Sequence, residues 1–163
     1  MLSENYKIVP LVQYADMSAT VTCDSFNMKG FHAATFIFMF GTLSGANSTL
    51  TINSGTSAAT CSSALYFNYA YGGAAVGTAV AASTASSDVL GAWTNAATLA
   101  IVHGTYDNFM LVCEIDASLM DLANEEEWMT AKFTTTTSVV GRVDGIAILK
   151  PRYKSNRSAT CLA

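Results

Sequence analysis

Asn108-Phe109-Met110-Leu111-Val112-Cys113-Glu114-Ile115-Asp116, then Trp128-Met129-Thr130-Ala131-Lys132-Phe133-Thr134, then Gly141-Arg142-Val143-Asp144-Gly145-Ile146-Ala147-Ile148-Leu149-Lys150: these runs, within residues 106–153, decide the fold class. In the first, Phe109, Leu111, Cys113 and Ile115 fall on one face and Asn108, Met110, Val112, Glu114 and Asp116 on the other. That period of two marks a strand with one face in a core. The last run sets Ile146 and Ile148 opposite Ala147 and Leu149, apolar on both sides, which predicts a strand inside a sheet and not at its edge. Between them, Ala117 to Glu127 reads as a polar crossover of one or two helical turns that Asp116 or Ser118 can cap.

Outward from this stretch the same pattern recurs. Tyr6-Lys7-Ile8-Val9-Pro10-Leu11-Val12 is extended, because Pro10 forbids a helix interior and biases Val9 toward β; it predicts an edge strand or a strap over a neighbour. Thr20 to Met28 reads as a strand closed by a turn at Lys29-Gly30, and Ala33 to Phe40 is the most apolar run, with Phe36, Phe38 and Phe40 on one face and Thr35, Ile37 and Met39 on the other. Both of its faces are expected to be covered. Ser48 to Ser54 alternates with Leu50 and Ile52 inward, and Ala64 to Tyr71 places Leu65, Phe67, Tyr69 and Tyr71 on one side. Val89 to Thr94 and Thr98 to Val102 read as two further strands broken at Asn95-Ala96-Ala97. About seven to nine short strands with turn residues between them predict a single all-β domain, an antiparallel sandwich or barrel. Residues 1–14 form an N-terminal arm in this reading, 72–87 an Ala/Gly/Ser-rich loop, and 151–163 a basic C-terminal tail.

The chain has 163 residues, 51% of them hydrophobic, enough for one buried core. Only 12% are charged, about half the usual share, so part of the surface is expected to be covered by other subunits. Net charge is −4, yet Lys150, Arg152, Lys154 and Arg157 are half of the eight basic residues, and the body before them carries four basic residues against twelve acidic ones, a net −8. An acidic body with a basic arm suits either docking on an acidic neighbour or a solvated tail, and disfavours nucleic acid. No run approaches the ~20 apolar residues of a membrane helix, and Met1 to Tyr14 lacks the pattern of a secretory signal, so a protein made and used in the cytosol, or assembled there into something that leaves, is expected.

Candidate chemistry is sparse. Cys23, Cys61, Cys113 and Cys161 are too far apart for a zinc knuckle or a CxxC motif and read as free thiols. The carboxylates Asp116, Asp121, Glu125, Glu126 and Glu127 lack the spacing of a calcium loop, and His32 and His103 have no ligand partner nearby in sequence. No GxSxG surrounds a serine and no phosphate-binding glycine loop is present, so neither an enzyme nor a cofactor or metal site is expected. The tyrosine stripe can be core, subunit interface or a sugar-stacking platform.

One resemblance joins these segments. Lys7-Ile8-Val9-Pro10-Leu11-Val12, Met28-Lys29-Gly30-Phe31-His32-Ala33-Ala34-Thr35-Phe36, Ala64-Leu65-Tyr66-Phe67-Asn68-Tyr69, Asp107-Asn108-Phe109, Glu114-Ile115-Asp116-Ala117-Ser118-Leu119 and Ala147-Ile148-Leu149-Lys150-Pro151-Arg152-Tyr153 occur in an order that resembles small virion proteins of tailed bacteriophages, those that decorate or cement the capsid exterior. The resemblance implies a jelly-roll-like β-sandwich with extended terminal arms that trimerises at three-fold positions of the icosahedral head. There it would bridge adjacent major capsid subunits, after assembly in the host cytoplasm. On that reading Phe36, Phe38, Phe40, Tyr66, Tyr69 and Tyr71 are the trimer-interface candidates. Tyr6, Lys7, Lys150, Arg152, Tyr153, Lys154 and Arg157 are the capsid-contact candidates. Two other readings stay open: a receptor- or carbohydrate-binding module of a tail fibre or baseplate, resting on Tyr66, Tyr69, Tyr71, Trp93 and Trp128, and a ring-forming tail-tube or neck protein.

Overall fold

A computed structural model describes residues 2–76, 87–135, 139–153 and 160–162. After a helical turn at Leu2–Asn5 the strands are β1 (Lys7–Asp16), β2 (Val21–Thr22), β3 (Phe26–Asn27), β4 (Phe31–Phe40), β5 (Ser44–Gly45), β6 (Ser48–Gly55) and β7 (Ser63–Ala64). They continue as β8 (Phe67–Tyr71), β9 (Thr94–Ala96), β10 (Thr98–Ile101), β11 (Met110–Asp116), β12 (Trp128–Thr135), β13 (Val139–Val140) and β14 (Arg142–Pro151). The protein is all-β. One sheet has the order β1-β14-β4-β11-β8-β9; the other runs β10-β6-β12-β2, with β3 also on β12 and β7 also on β6; β13 and β5 form a small ribbon. Every strand pairing among the described residues is antiparallel.

The two large sheets share one core. Phe36 and Phe38 of β4 and Phe133 of β12 are fully buried, and Phe133 receives Phe38 edge to face at 5.0 Å between ring centroids and Phe40 at 5.9 Å. Phe26 of β3 reaches Phe36 at 5.7 Å. Across the six-stranded sheet, Val9, Ala147, Phe36, Cys113 and Tyr69 are successive ladder partners on the inward face. Each buried phenyl ring contributes roughly 2–3 kcal/mol of transfer free energy, so this aromatic layer dominates the interior.

Of the two readings of the N-terminal arm, the edge strand holds; two other expectations change. The N-terminal arm is a strand of the sheet: Lys7 to Asp16 pairs with β14, its register shifting between Pro10 and Val12 and again between Val12 and Ala15. Proline and irregular register suit an edge position, where the outward backbone groups need no further strand. The tail is pinned on either side of its undescribed part: Arg152 donates its backbone N–H to Gly30 O and its Nε–H to Phe31 O, and Cys161 O accepts the Asn27 N–H. Lastly, residues 94–96, expected to hold a break between strands, form β9 on β8, while residues 89–93 contribute only a bridge from Leu90 to Gly72. Backbone pairing to Asn68 and Tyr69 outweighs the low strand propensity of Asn95 and Ala96. Most of the Ala/Gly/Ser-rich loop lies outside the described residues.

The crossover is two 3₁₀ turns, Ala117–Leu119 and Leu122–Asn124. Asp116 caps the first by accepting the Ser118 N–H at 2.8 Å, and Asp121 caps the second through the Asn124 N–H. Three-residue turns suffice because the segment only redirects the chain from β11 in one sheet to β12 in the other.

Candidate assembly surface

The structure separates the proposed contact residues into three groups. Phe36, Phe38 and Phe40 are 0, 0 and 4% exposed in the isolated chain. This corrects their assignment to an interface, because a ring enclosed by its own subunit has no surface left for another. Tyr69 and Tyr71 lean toward the same core and are half-buried, whereas Tyr66, just before β8, is exposed. Tyr71 stacks flat on Tyr106 at 3.7 Å, and Tyr106 meets Phe109 edge to face at 5.7 Å. Burial pushes the Tyr71 phenol well above its ordinary range. Tyr66 and the inward-leaning Tyr69 and Tyr71 therefore do not make one continuous stacking platform, and Trp128 lies on the other sheet.

Strand register gathers the basic candidates at one end of the six-stranded sheet. Lys7 sits opposite Leu149, Lys150 opposite Ala33, and Arg152 beside Gly30, next to Lys29. Lys29 pairs with Glu127 at 3.1 Å, and the pair rims a cavity of about 280 Å³ together with Arg152, over a floor of Met28, Ala117 and Met120. Tyr6 and Tyr153 are exposed nearby in sequence; Lys154 and Arg157 lie outside the described residues.

The acidic crossover is structural. Glu126 accepts from the hydroxyls of Ser54, at 2.5 Å, and Ser63, tying the β6–β7 hairpin to the loop before β12. No cluster of three or more His, Cys, Asp or Glu suited to a metal occurs among the described residues.

The most distinctive surface is one that sequence reasoning took to be covered. On the outward face of the six-stranded sheet, Pro10, Ile146, Ile37, Val112 and Ala70 are successive ladder partners, an apolar row across five strands. Val112 and Ala70 are buried, but Ile146 is 38% exposed and Ile37 half-buried. The adjacent row begins Ile8-Ile148-Thr35, with Ile8 44% exposed, and continues into polar Glu114, Asn68 and Asn95. On the other flank Asp144 lies opposite Met39. Ile37, Met39, Gly145 and Ile146 line a shallow hollow of about 160 Å³. The signal was present in the alternation Asp144-x-Ile146-x-Ile148-x-Lys150, a two-sided apolar strand whose outer isoleucines are flanked by opposite charges.

Comparison with known proteins adds little beyond this geometry. No family model and no curated protein matches the chain. Among solved structures it is similar to the crystal structure of SPBc2 prophage-derived protein YomS, with 9% sequence identity, a TM-score of 0.46, and coverage of 88% of this chain and 93% of that one. At that score the likeness carries no argument about function, and the strand pairings themselves carry the reading that follows.

Proposed function

We propose that the chain is a structural virion protein: a jelly-roll decoration protein that binds the outside of a tailed-phage head as a homotrimer and bridges neighbouring major capsid subunits. The observation that carries the reading is the strand order. Within the two sheets, β1-β14-β4-β11 faces β2-β12-β6-β10, and between successive members of these eight strands the sheet changes at every step except β6 to β10, where β8 and β9 intervene. That order of eight strands supports the jelly-roll reading, since it matches the double Greek key found in viral capsid proteins, lectins and cupins. The sequence phrases quoted above favour the virion among these. So does a surface short of charge, with an uncovered apolar row. Many modest contacts made by one rigid oligomer add through effective concentration, so stabilising a shell needs no single strong site.

A second reading, a receptor- or carbohydrate-binding module of the tail, is favoured by one feature. An open groove of about 270 Å³ runs over the small residues Ala33 and Thr35, walled by Asn68, Glu114 and Asp116. Stoichiometry separates the two. Mass spectrometry of purified particles should find this chain in near-equal numbers to the major shell protein. A ratio of a few per cent would move it to the tail and make glycan binding the next assay.

A further inference from the structure

The exposed half of the apolar face has a polarity of its own. Along the outward side of β14 the order is Arg142, Asp144, Ile146, Ile148, Lys150; Arg142 is engaged by Asp16 at 3.2 Å, which leaves Asp144 and Lys150 as an acid and a base about 20 Å apart at ~3.4 Å per residue with two isoleucines between them. Asp144 and Lys150 are both exposed. Neither engages in a side-chain ion pair within 4 Å among the described residues: Asp144 accepts the Tyr14 backbone N–H at 2.7 Å, and Lys150 acts on Asp116, across Ala33 in the ladder, only at longer range. Flanking strands extend the apolar centre, Ile8 and Pro10 on β1, Ile37 and Met39 on β4.

Such a face is complementary to itself. If a second copy is turned by a two-fold axis lying between the sheets and perpendicular to β14, the two β14 strands run antiparallel across the interface. Ile146 of each copy then meets Ile148 of the other, and each Asp144 faces the other copy's Lys150. Two sheets stack face to face at about 10 Å. A partner with unrelated charge would match only one end; a second copy matches both, which is the defining property of an isologous contact.

We propose that the Ile8/Ile37/Ile146/Ile148 face is an isologous contact between two copies of this chain, centred on β14 and keyed by Asp144 and Lys150. The inference rests on reading that face as an assembly surface, and it names the occupant. It is compatible with a trimer, since a two-fold contact on an outward face joins one trimer to the next.

Reciprocal charge exchange tests it in solution, on the purified full chain, by sedimentation equilibrium and light scattering. The unaltered protein should show a concentration-dependent doubling of mass. Lys150→Asp alone and Asp144→Lys alone should each weaken the doubling by roughly tenfold, because each leaves like charges face to face. The double exchange should restore it, and Ile146→Asp should abolish it. Circular dichroism and thermal unfolding of each variant establish that these exposed positions leave the fold intact. A protein that stays a monomer, or a trimer that never doubles, would overturn the two-fold contact, as would a double exchange that fails to rescue. A stable trimer without doubling would leave the decoration reading standing, whereas low copy number on particles would remove that reading without touching the solution result.

Discussion

Gly145 lies directly opposite Phe38 in the β14–β4 ladder, and the Phe38 ring occupies the place a β-carbon would need: a methyl group at residue 145 would come within 2.7 Å of Phe38 Cδ1. The glycine is what lets the ring lie across β14 on its way to Phe133. Gly145→Ala is therefore expected to lower stability by about 1–3 kcal/mol through overpacking, and Phe38→Ala by about 3–5 kcal/mol through the cavity it leaves. Because the two residues contest one space, the double variant should be clearly more stable than the sum of the single losses. Urea titration of the four proteins measures that coupling.

Removing the carboxylate from the β6–β7 clamp should cost more than an ordinary surface change. Ser54 is fully buried and donates to Glu126. Glu126→Ala leaves that hydroxyl without its acceptor, at about 1–3 kcal/mol, while Glu125→Ala, at an exposed neighbour, should be close to neutral. Paired denaturation curves compare them.

Thiol chemistry should divide the four cysteines. Cys23, Cys113 and Cys161 are buried, and burial, with the charge of Asp24 as a lesser cause, pushes the Cys23 thiol from about 9 up to about 12. Burial likewise raises Cys113. Cys61 is half-buried and is the residue expected to react first with a maleimide in the native protein; all four should react in denaturant. A folded value above the unfolded one means that the contribution of the neutral Cys23 thiol to stability is intact below pH 9 and declines as pH rises toward 12. Cys23→Ser should behave differently across that window in thermal scans.

The acid side has the opposite sign. Asp116 is held below the ordinary carboxylate range, first by the Ser118 backbone N–H, then by the Ser118 side chain, and further by His32 and Lys150. Its ionised form stabilises the turn above the unfolded carboxylate value, and that contribution is lost as pH falls through the lower folded value. Asp116→Asn should flatten this part of the acid limb of the stability curve, measured as thermal midpoint against pH.

Alternation was legible wherever one face of a strand is enclosed. Leu111, Cys113 and Ile115 point inward as their spacing requires, and the apolar character of Ile146 to Leu149 places β14 between two neighbours. The same argument overreached at the outer face, because period two says that both sides of β14 and β4 are apolar but not how much of each side is covered. Phe36, Phe38 and Phe40 illustrate the other limit. Their hydrophobicity suits a core or an interface equally, and only the arrival of Phe133 from the second sheet assigns them to the core. The outer row of Pro10, Ile146, Ile37, Val112 and Ala70 depends on register between strands far apart in sequence, which no local pattern encodes.

Among the described strands, β6–β7 and β8–β9 are the pairs formed by chain neighbours, and β1 finds its strand partner only in β14. A ribosome therefore releases the first edge of the larger sheet long before the strand that completes it. Until residues 142–151 emerge, Val9, Leu11 and the phenylalanines of β4 have no finished layer to enter, so the nascent chain must remain soluble while unable to fold. Synthesis speed and chaperone supply, more than the depth of the native minimum, are then expected to set how much of this protein a cell accumulates.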